Sequence, residues 1–197
     1  MTYTSPYADQ PVTQWHYITD KLISQHPIGT NEIRETVLKA WNDIFYSKIG
    51  SFYIGKEIEP SPQIMSFFLH ELVAHYLSLR YKGLYKVGVE KGEKDIHCLS
   101  DEKLSIEIKA SSHPSQIFAN RSYAQPQSGG GQKDKNGYYI IINFEPFKIA
   151  KPNLPRILLI RFGYIEHSDW IAQKAATGQQ ARLSVETYRY KLRQIYP

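Results

Sequence analysis

Cysteine is almost missing: Cys98 stands alone among 197 residues. No disulfide framework and no Cys-rich zinc site can be built within the chain. A reducing, cytoplasmic setting fits that usage. Long apolar runs are missing as well. The longest lie around Tyr138–Phe144 and Ile157–Ile160, far too short to span a bilayer, so no membrane partner is expected. Residues 1–10 are polar and hold no apolar h-region, so no secretory signal is expected. Acidic residues are the minority charge, 19 Asp and Glu against 24 Lys and Arg, for a formal net charge of +5. That balance tilts the choice of partner toward polyanions, DNA or RNA first.

What is present is ordinary for a globular protein: 42% hydrophobic and 22% charged residues. The 15 tyrosines can stack on bases or bond phosphates, but they also pack in cores and sheets. The length suits one domain with a sizeable core. Residues 1–13 read as an irregular arm. A short helix follows over Trp15–Ser24, and a second runs to about Ser47, capped by Thr30 or Asn31, with Ile33, Val37, Leu38, Trp41 and Ile44 at helical spacing. Residues 1–50 thus read as an N-terminal helical arm. Gly50 and Gly55 bracket a short extended piece. Ser61-Pro62 opens the longest helix, to about Arg80, with Met65, Phe68, Leu69, Leu72, Val73, Tyr76 and Leu79 as its apolar stripe.

Beyond Gly83 the period changes to two. Leu84–Val89 reads as a strand, and Asp95–Leu99 with Leu104–Ala110 as a hairpin. Ser111–Lys135 is polar, with a short helix near Pro114–Ala119 and then a loop in which Gly129–Gly131 act as a hinge. Tyr138–Phe144 and Arg156–Phe162 read as buried strands. Ser168 or Asp169 caps a further helix to about Ala176. The fold expected is α/β (α+β), a central mixed β-sheet flanked by helices, in one domain over 1–197.

The chemistry-bearing segment runs from Asp95 to Ala110. Strand alternation puts Ser105, Glu107 and Lys109 on one face, and Leu104, Ile106, Ile108 and Ala110 on the other, toward a core. Both carboxylates can share a face only if the hairpin loop is odd or bulged; an odd loop such as Asp101–Lys103 would pair Asp95 with Lys109. Two carboxylates can anchor a hard Mg²⁺, which takes oxygen ligands, and a neighbouring lysine can orient the attacking water or stabilise negative charge. Phosphodiester hydrolysis needs such a group. The bland alternative is a cross-strand ion pair on a half-exposed sheet.

Asp95 followed by Glu107-Ile108-Lys109 resembles the signature of the PD-(D/E)xK nuclease superfamily, although Lys94 stands where that signature has proline. The resemblance implies a restriction-endonuclease-like core, Asp95 and Glu107 as Mg²⁺ ligands, and Lys109 serving the water. It also implies an accessory glutamate on the preceding helix. Glu71 occupies that place, on a flank that faces either the site or solvent. The stretches Ile117–Gln125 and Asp169–Leu183 are similar to type II restriction endonucleases of the ScaI type. That narrower likeness implies a homodimer cutting both strands of double-stranded DNA at a palindromic site. The polar segment after Lys109 supplies candidate DNA contacts: Ser111, Ser112 and Tyr123 for phosphate oxygens, Arg121 for guanine, and Gln116, Asn120 and Gln125 for adenine. The rival readings are another nuclease of the superfamily, for repair, junction resolution or nicking, and a non-catalytic DNA-binding module.

Other motifs lead away from chemistry. His70-Glu71-Leu72-Val73-Ala74-His75 has its histidines five apart, not the four that a zinc-protease helix needs, so both read as ordinary flank residues. His97 shares the face of Asp95, as a phosphate contact or as a structural histidine. Gly129–Gly131 lacks the Lys-Ser/Thr of a P-loop. Cys98 alternates inward with Ile96.

Overall fold

The computed structural model describes residues 3–125, 134–175 and 177–197; the Gly129–Gly131 hinge expected from sequence lies outside them. Three long helices come first: α1 (Trp15–Gln25), α2 (Thr30–Tyr46) and, after the small ribbon β1 (Lys48–Ile49)–β2 (Phe52–Tyr53), α3 (Pro62–Arg80). Helix α2 buries Ile33, Val37, Ala40, Trp41 and Ile44, one stripe at helical period. Its N-cap is Gly29, not Thr30 or Asn31. The Glu32 carboxylate accepts from the Gly29 N–H at 3.1 Å, so the first turn closes on a side chain from inside the helix. Helix α3 starts as the sequence predicts, with Ser61 Oγ accepting from the Ile64 N–H and Pro62 in the first position.

The strands follow: β3 (Tyr85–Val87), β4 (Ile96–Cys98), β5 (Ile106–Ser111), β6 (Phe118–Asn120), β7 (Gly137–Phe144), then the short helix α4 (Phe147–Ala150), β8 (Ile157–Ile165), β9 (Trp170–Ala172), β10 (Gln180–Leu183) and β11 (Leu192–Tyr196). Six form a mixed sheet in the order β11-β8-β7-β5-β4-β3, in which β5 and β7 run parallel and the other neighbours antiparallel. A second, antiparallel sheet has the order β6-β10-β9.

Every residue of β7 is buried. Tyr138, Ile140, Ile142 and Phe144 join the helices in one core, while Tyr139 and Ile141 join Ile117, Trp170, Ala181 and Leu183 of the second sheet in another. The large sheet is therefore the middle of three layers. Helices α1 and α2 belong to the first core through Ile23, Val37 and Trp41, so residues 15–46 are a wall of the fold rather than an arm. The chain before them is pinned as well. Tyr7 is buried and shares a 2.9 Å hydrogen bond with Thr19, and Tyr3 donates to Glu166 at 2.8 Å.

Two expected helices are strands. Near Pro114–Ala119 the chain turns on His113, whose Nδ1 accepts from the Ser115 and Gln116 N–H groups. It then pairs as β6 with β10. After Asp169 the chain is β9, paired with β10. The Asp169 carboxylate accepts from the Glu166 N–H and from Lys191 Nζ, so it closes a 3₁₀ turn and a buried ion pair instead of capping a helix. Tertiary pairing outweighed the local helix signal in both places.

His26 is buried against Tyr138 and Phe162. Its Nδ1 accepts from the Ile28 N–H at 3.1 Å and its Nε2 donates to the Leu104 carbonyl at 3.1 Å. Burial lowers its pKa below the ordinary 6.5 and outweighs those backbone partners. The unfolded chain thus binds the extra proton first, so His26 favours folding above pH 6.5 and that contribution is lost as pH falls below it. The urea midpoint should drop between about pH 7 and about pH 5, and His26→Gln should flatten that drop. An unchanged slope in the variant would remove His26 as its source.

Candidate active site

Glu107 and Lys109 alternate with Ile106 and Ile108 along β5. The isoleucines enter the helix-side core, which turns Glu107 and Lys109 to the opposite face. The parallel register sets them beside Tyr139 and Ile141 of β7, under the second sheet. Asp95 reaches the same place from the neighbouring strand. Ile96 pairs with Ile106, and that register carries Asp95 opposite Glu107, two residues short of the Lys109 partner expected, an even shift that keeps the required parity. The turn into β4 needs Gly88: a Cβ there would lie 1.9 Å from the Lys94 carbonyl oxygen. The Gly88 N–H donates to the Asp95 carbonyl at 3.0 Å. Lys94 itself is buried and donates to the Asp134 carbonyl at 3.0 Å.

Asp95 Oδ2 accepts from the Ile108 N–H at 2.6 Å, which ties its carboxylate to β5 between Glu107 and Lys109. His70 Nδ1 stands 3.8 Å from the same oxygen. Lys109 Nζ lies 2.5 Å from Glu107 Oε1, with the two side chains 15% and 3% exposed. The Tyr123 hydroxyl donates to that same Oε1 at 2.7 Å, and Lys109 Nζ is 4.8 Å from the centre of the Tyr123 ring. Burial works to lower the Lys109 pKa. The charge of Glu107, with Tyr123 and Asp95 behind it, more than offsets this and holds the ammonium above its usual value.

A cleft of about 260 Å³ runs between α3 and this edge of the sheet, lined by Gln63, Ser66, Phe67, His70, Glu71 and Asp95 among others. Glu71 therefore faces the cleft that holds Asp95. Its carboxylate is half exposed and 3.8 Å from His75. A second cleft, of about 520 Å³, shares Gln63 and Ser66 and continues past Ser111, Ser112, His113 and Gln180. The two make one groove along the N-terminal half of α3.

The other candidate contacts separate. Ser111 and Ser112 lie in the groove, though Ser111 Oγ already accepts from the His113 N–H at 3.1 Å. The Gln116 carbonyl accepts from Asn143 at 2.9 Å. Asn120 and Gln125 are exposed. Two expectations need correction. Tyr123 turns inward to Glu107, so its hydroxyl meets a carboxylate rather than a phosphate. The Arg121 guanidinium donates to the Ala175 and Gly178 carbonyls at 3.1 and 2.9 Å, so it braces the second sheet instead of standing ready for guanine. His97 stays with Glu93, 3.7 Å away. His70 was missed. Its signal was present, since Gln63, Ser66, Phe67, His70 and Ala74 recur at helical spacing as a second stripe beside the apolar one. Nothing in local pattern marks Tyr123 as a partner of Glu107.

Two carboxylates at one sheet edge, with no group of three or more His, Cys, Asp or Glu gathered for a metal among the described residues, are an oxygen donor set. It suits a hard cation that keeps waters and shares substrate phosphates, as Mg²⁺ does, and not an all-protein cage.

The family model for the ScaI restriction endonuclease matches residues 5–196. The type II restriction enzyme ScaI of Streptomyces caespitosus is 42% identical over 183 residues, which is 92% of this chain and 80% of the relative. Among solved structures, the restriction endonuclease BglI bound to its DNA recognition sequence is similar at a TM-score of 0.43 and 9% identity, over 93% of this chain and 87% of that one.

Lys109→Met should leave the buried Glu107 carboxylate without its ammonium partner. Losing one partner of a buried ion pair costs about 3–5 kcal/mol, whereas replacing both is often near neutral. Urea unfolding should therefore show Lys109→Met well below wild type and the Glu107→Gln/Lys109→Met double variant closer to it. Equal losses in the two variants would mean the pair carries no coupling.

Proposed function

The chain belongs to the ScaI restriction endonuclease family, and from that membership we propose a Mg²⁺-dependent hydrolysis of duplex DNA in which Asp95, Glu107 and Lys109 carry the chemistry. The protein is a type II restriction endonuclease, a site-specific deoxyribonuclease. The observation that carries the residue assignment is the meeting of Asp95, Glu107 and Lys109 on one edge of the sheet, with Lys109 Nζ 2.5 Å from Glu107 and Asp95 acting on its charge.

Asp95 and Glu107 would hold the cation, which would supply Lewis acidity at the attacked phosphate and favour deprotonation of the attacking water. Asp95 is kept in place by the Ile108 N–H, so its carboxylate enters the reaction with its rotamer fixed. Lys109 remains an ammonium in this field. It can orient the water by donating to its oxygen and can stabilise the charge that builds on the phosphate. Water adds to phosphorus, the P–O3′ bond breaks, and the products are a 5′-phosphate and a 3′-hydroxyl. Glu71 stands on the opposite wall as the accessory carboxylate.

The duplex lies along the groove, over Ser111 and Ser112, with Gln116, Asn120 and Gln125 nearest the bases. A homodimer with two-fold symmetry reads a palindromic site, each protomer cutting one strand. The enzyme works in the cytoplasm, where it meets incoming DNA. No helix among the described residues is long and apolar enough to cross a membrane.

Lys109→Ala should abolish plasmid cleavage in Mg²⁺ while leaving specific DNA affinity within about threefold of wild type, a change below 1 kcal/mol. Ca²⁺, larger and more loosely coordinated, should support binding without cleavage. Sequenced ends should come from one palindrome. Wild-type cutting by Lys109→Ala would sink the assignment. Nicking of one strand would favour another nuclease role, and binding without metal-dependent cleavage would favour a non-catalytic module.

A further inference from the structure

Two donors meet on one oxygen of Glu107. Lys109 Nζ stands 2.5 Å from Oε1 and the Tyr123 hydroxyl 2.7 Å from it. The proposed chemistry has Lys109 turn one of its three N–H donors to the water or the phosphate, which draws Nζ away from Glu107 Oε1. The Glu107 side chain is only 3% exposed, and water has little access to replace the lost donor. A buried carboxylate oxygen stripped of its donor is unfavourable. On that reading of Lys109, we propose that Tyr123 is a positioning residue: its hydroxyl holds Glu107 when Lys109 moves to the reacting phosphate.

Tyr123 is placed to do this because it is anchored independently of β5. Its ring meets Trp170 edge-on at 5.0 Å. The preceding residue's carbonyl accepts from Lys135 Nζ. Arg121 is fastened through its N–H to the Gln179 carbonyl and through its guanidinium to Ala175 and Gly178. All of these partners lie outside the strand that carries Lys109. The ring face toward Lys109 Nζ, 4.8 Å from its centre, also offers the ammonium a favourable surface as it leaves the carboxylate. Tyr123 touches neither water nor phosphate in this scheme and acts only through Glu107 and Lys109.

The test is cleavage of a cognate duplex with enzyme in excess and at steady state, with DNA affinity measured separately in Ca²⁺. Tyr123→Phe keeps the ring and removes the donor. Loss of an outer partner of such a site typically costs about 10–100-fold, and that loss is expected in kcat, with KM, Ca²⁺-supported affinity and thermal midpoint near wild type. A second pair guards against packing effects. Tyr123→Gln and Tyr123→Leu both lose the ring, but only glutamine restores a donor, so the glutamine variant should cleave faster. Wild-type cleavage by Tyr123→Phe overturns the proposal, as does equal cleavage by the glutamine and leucine variants. A fall in kcat matched by an equal fall in DNA affinity also overturns it, because Tyr123 would then be a DNA contact. Lys109→Ala separates the underlying reading: if that variant cleaves normally, the role of Lys109 fails and Tyr123 falls with it.

Discussion

Strand β7 has no solvent face. A strand buried on both sides must be covered twice, and here the covers differ: three helices on one side and the small sheet on the other. Its neighbour β5 shares the helix-side core through Ile106 and Ile108, but its other face meets the small sheet with Glu107 and Lys109. A buried acid and base on that face are tolerable only as a pair with further donors, and Tyr123 is such a donor. The parallel pairing of β5 with β7 adds a second constraint. Parallel neighbours cannot be joined by a tight turn; the chain must travel back over the sheet. That return path carries β6 and the 3₁₀ turn at Arg121–Ala124 across the polar face of β5. The topology that buries β7 therefore also brings Tyr123 to Glu107.

Much of this was legible. The alternation over Leu104–Ala110 separates the isoleucines from Glu107 and Lys109, and the parity argument required Asp95 to share their face. The Ser61-Pro62 start of α3 and the apolar run of β7, broken by Asn143 alone between Tyr138 and Phe144, are local signals, and local signals survive folding when the tertiary context agrees with them. The misses have one cause. Asp169 looks like a helix cap because its carboxylate can serve nearby N–H groups, yet Lys191, 22 residues away, claims that carboxylate. Arg121 looks like a base reader because a guanidinium fits guanine, yet the Ala175 and Gly178 carbonyls fit it too. Tyr123 looks like a phosphate contact for the same reason. Side-chain chemistry states what a residue can bind. Only the crossover and the second sheet decide which partner is in reach.

The charges at the site and over the chain have opposite signs. Asp95 and Glu107 with Lys109 leave a local balance of −1, while the chain as a whole carries +5. The general excess favours a polyanion at long range, within the screening length of the solution. Close to the sheet edge the two carboxylates oppose it, and Lys109 is held on Glu107 rather than facing the groove. A phosphate approaching without a cation therefore meets the net negative charge of this triad with the Lys109 ammonium engaged by Glu107. On the proposed chemistry, a divalent cation held by the two carboxylates would offset that charge and would weaken the hold of Glu107 on Lys109. The small sheet that anchors Tyr123 also carries exposed Asn120 at the end of β6, one turn before it. Asn120 and Tyr123, the donor to Glu107, are thus parts of one short, braced stretch of chain.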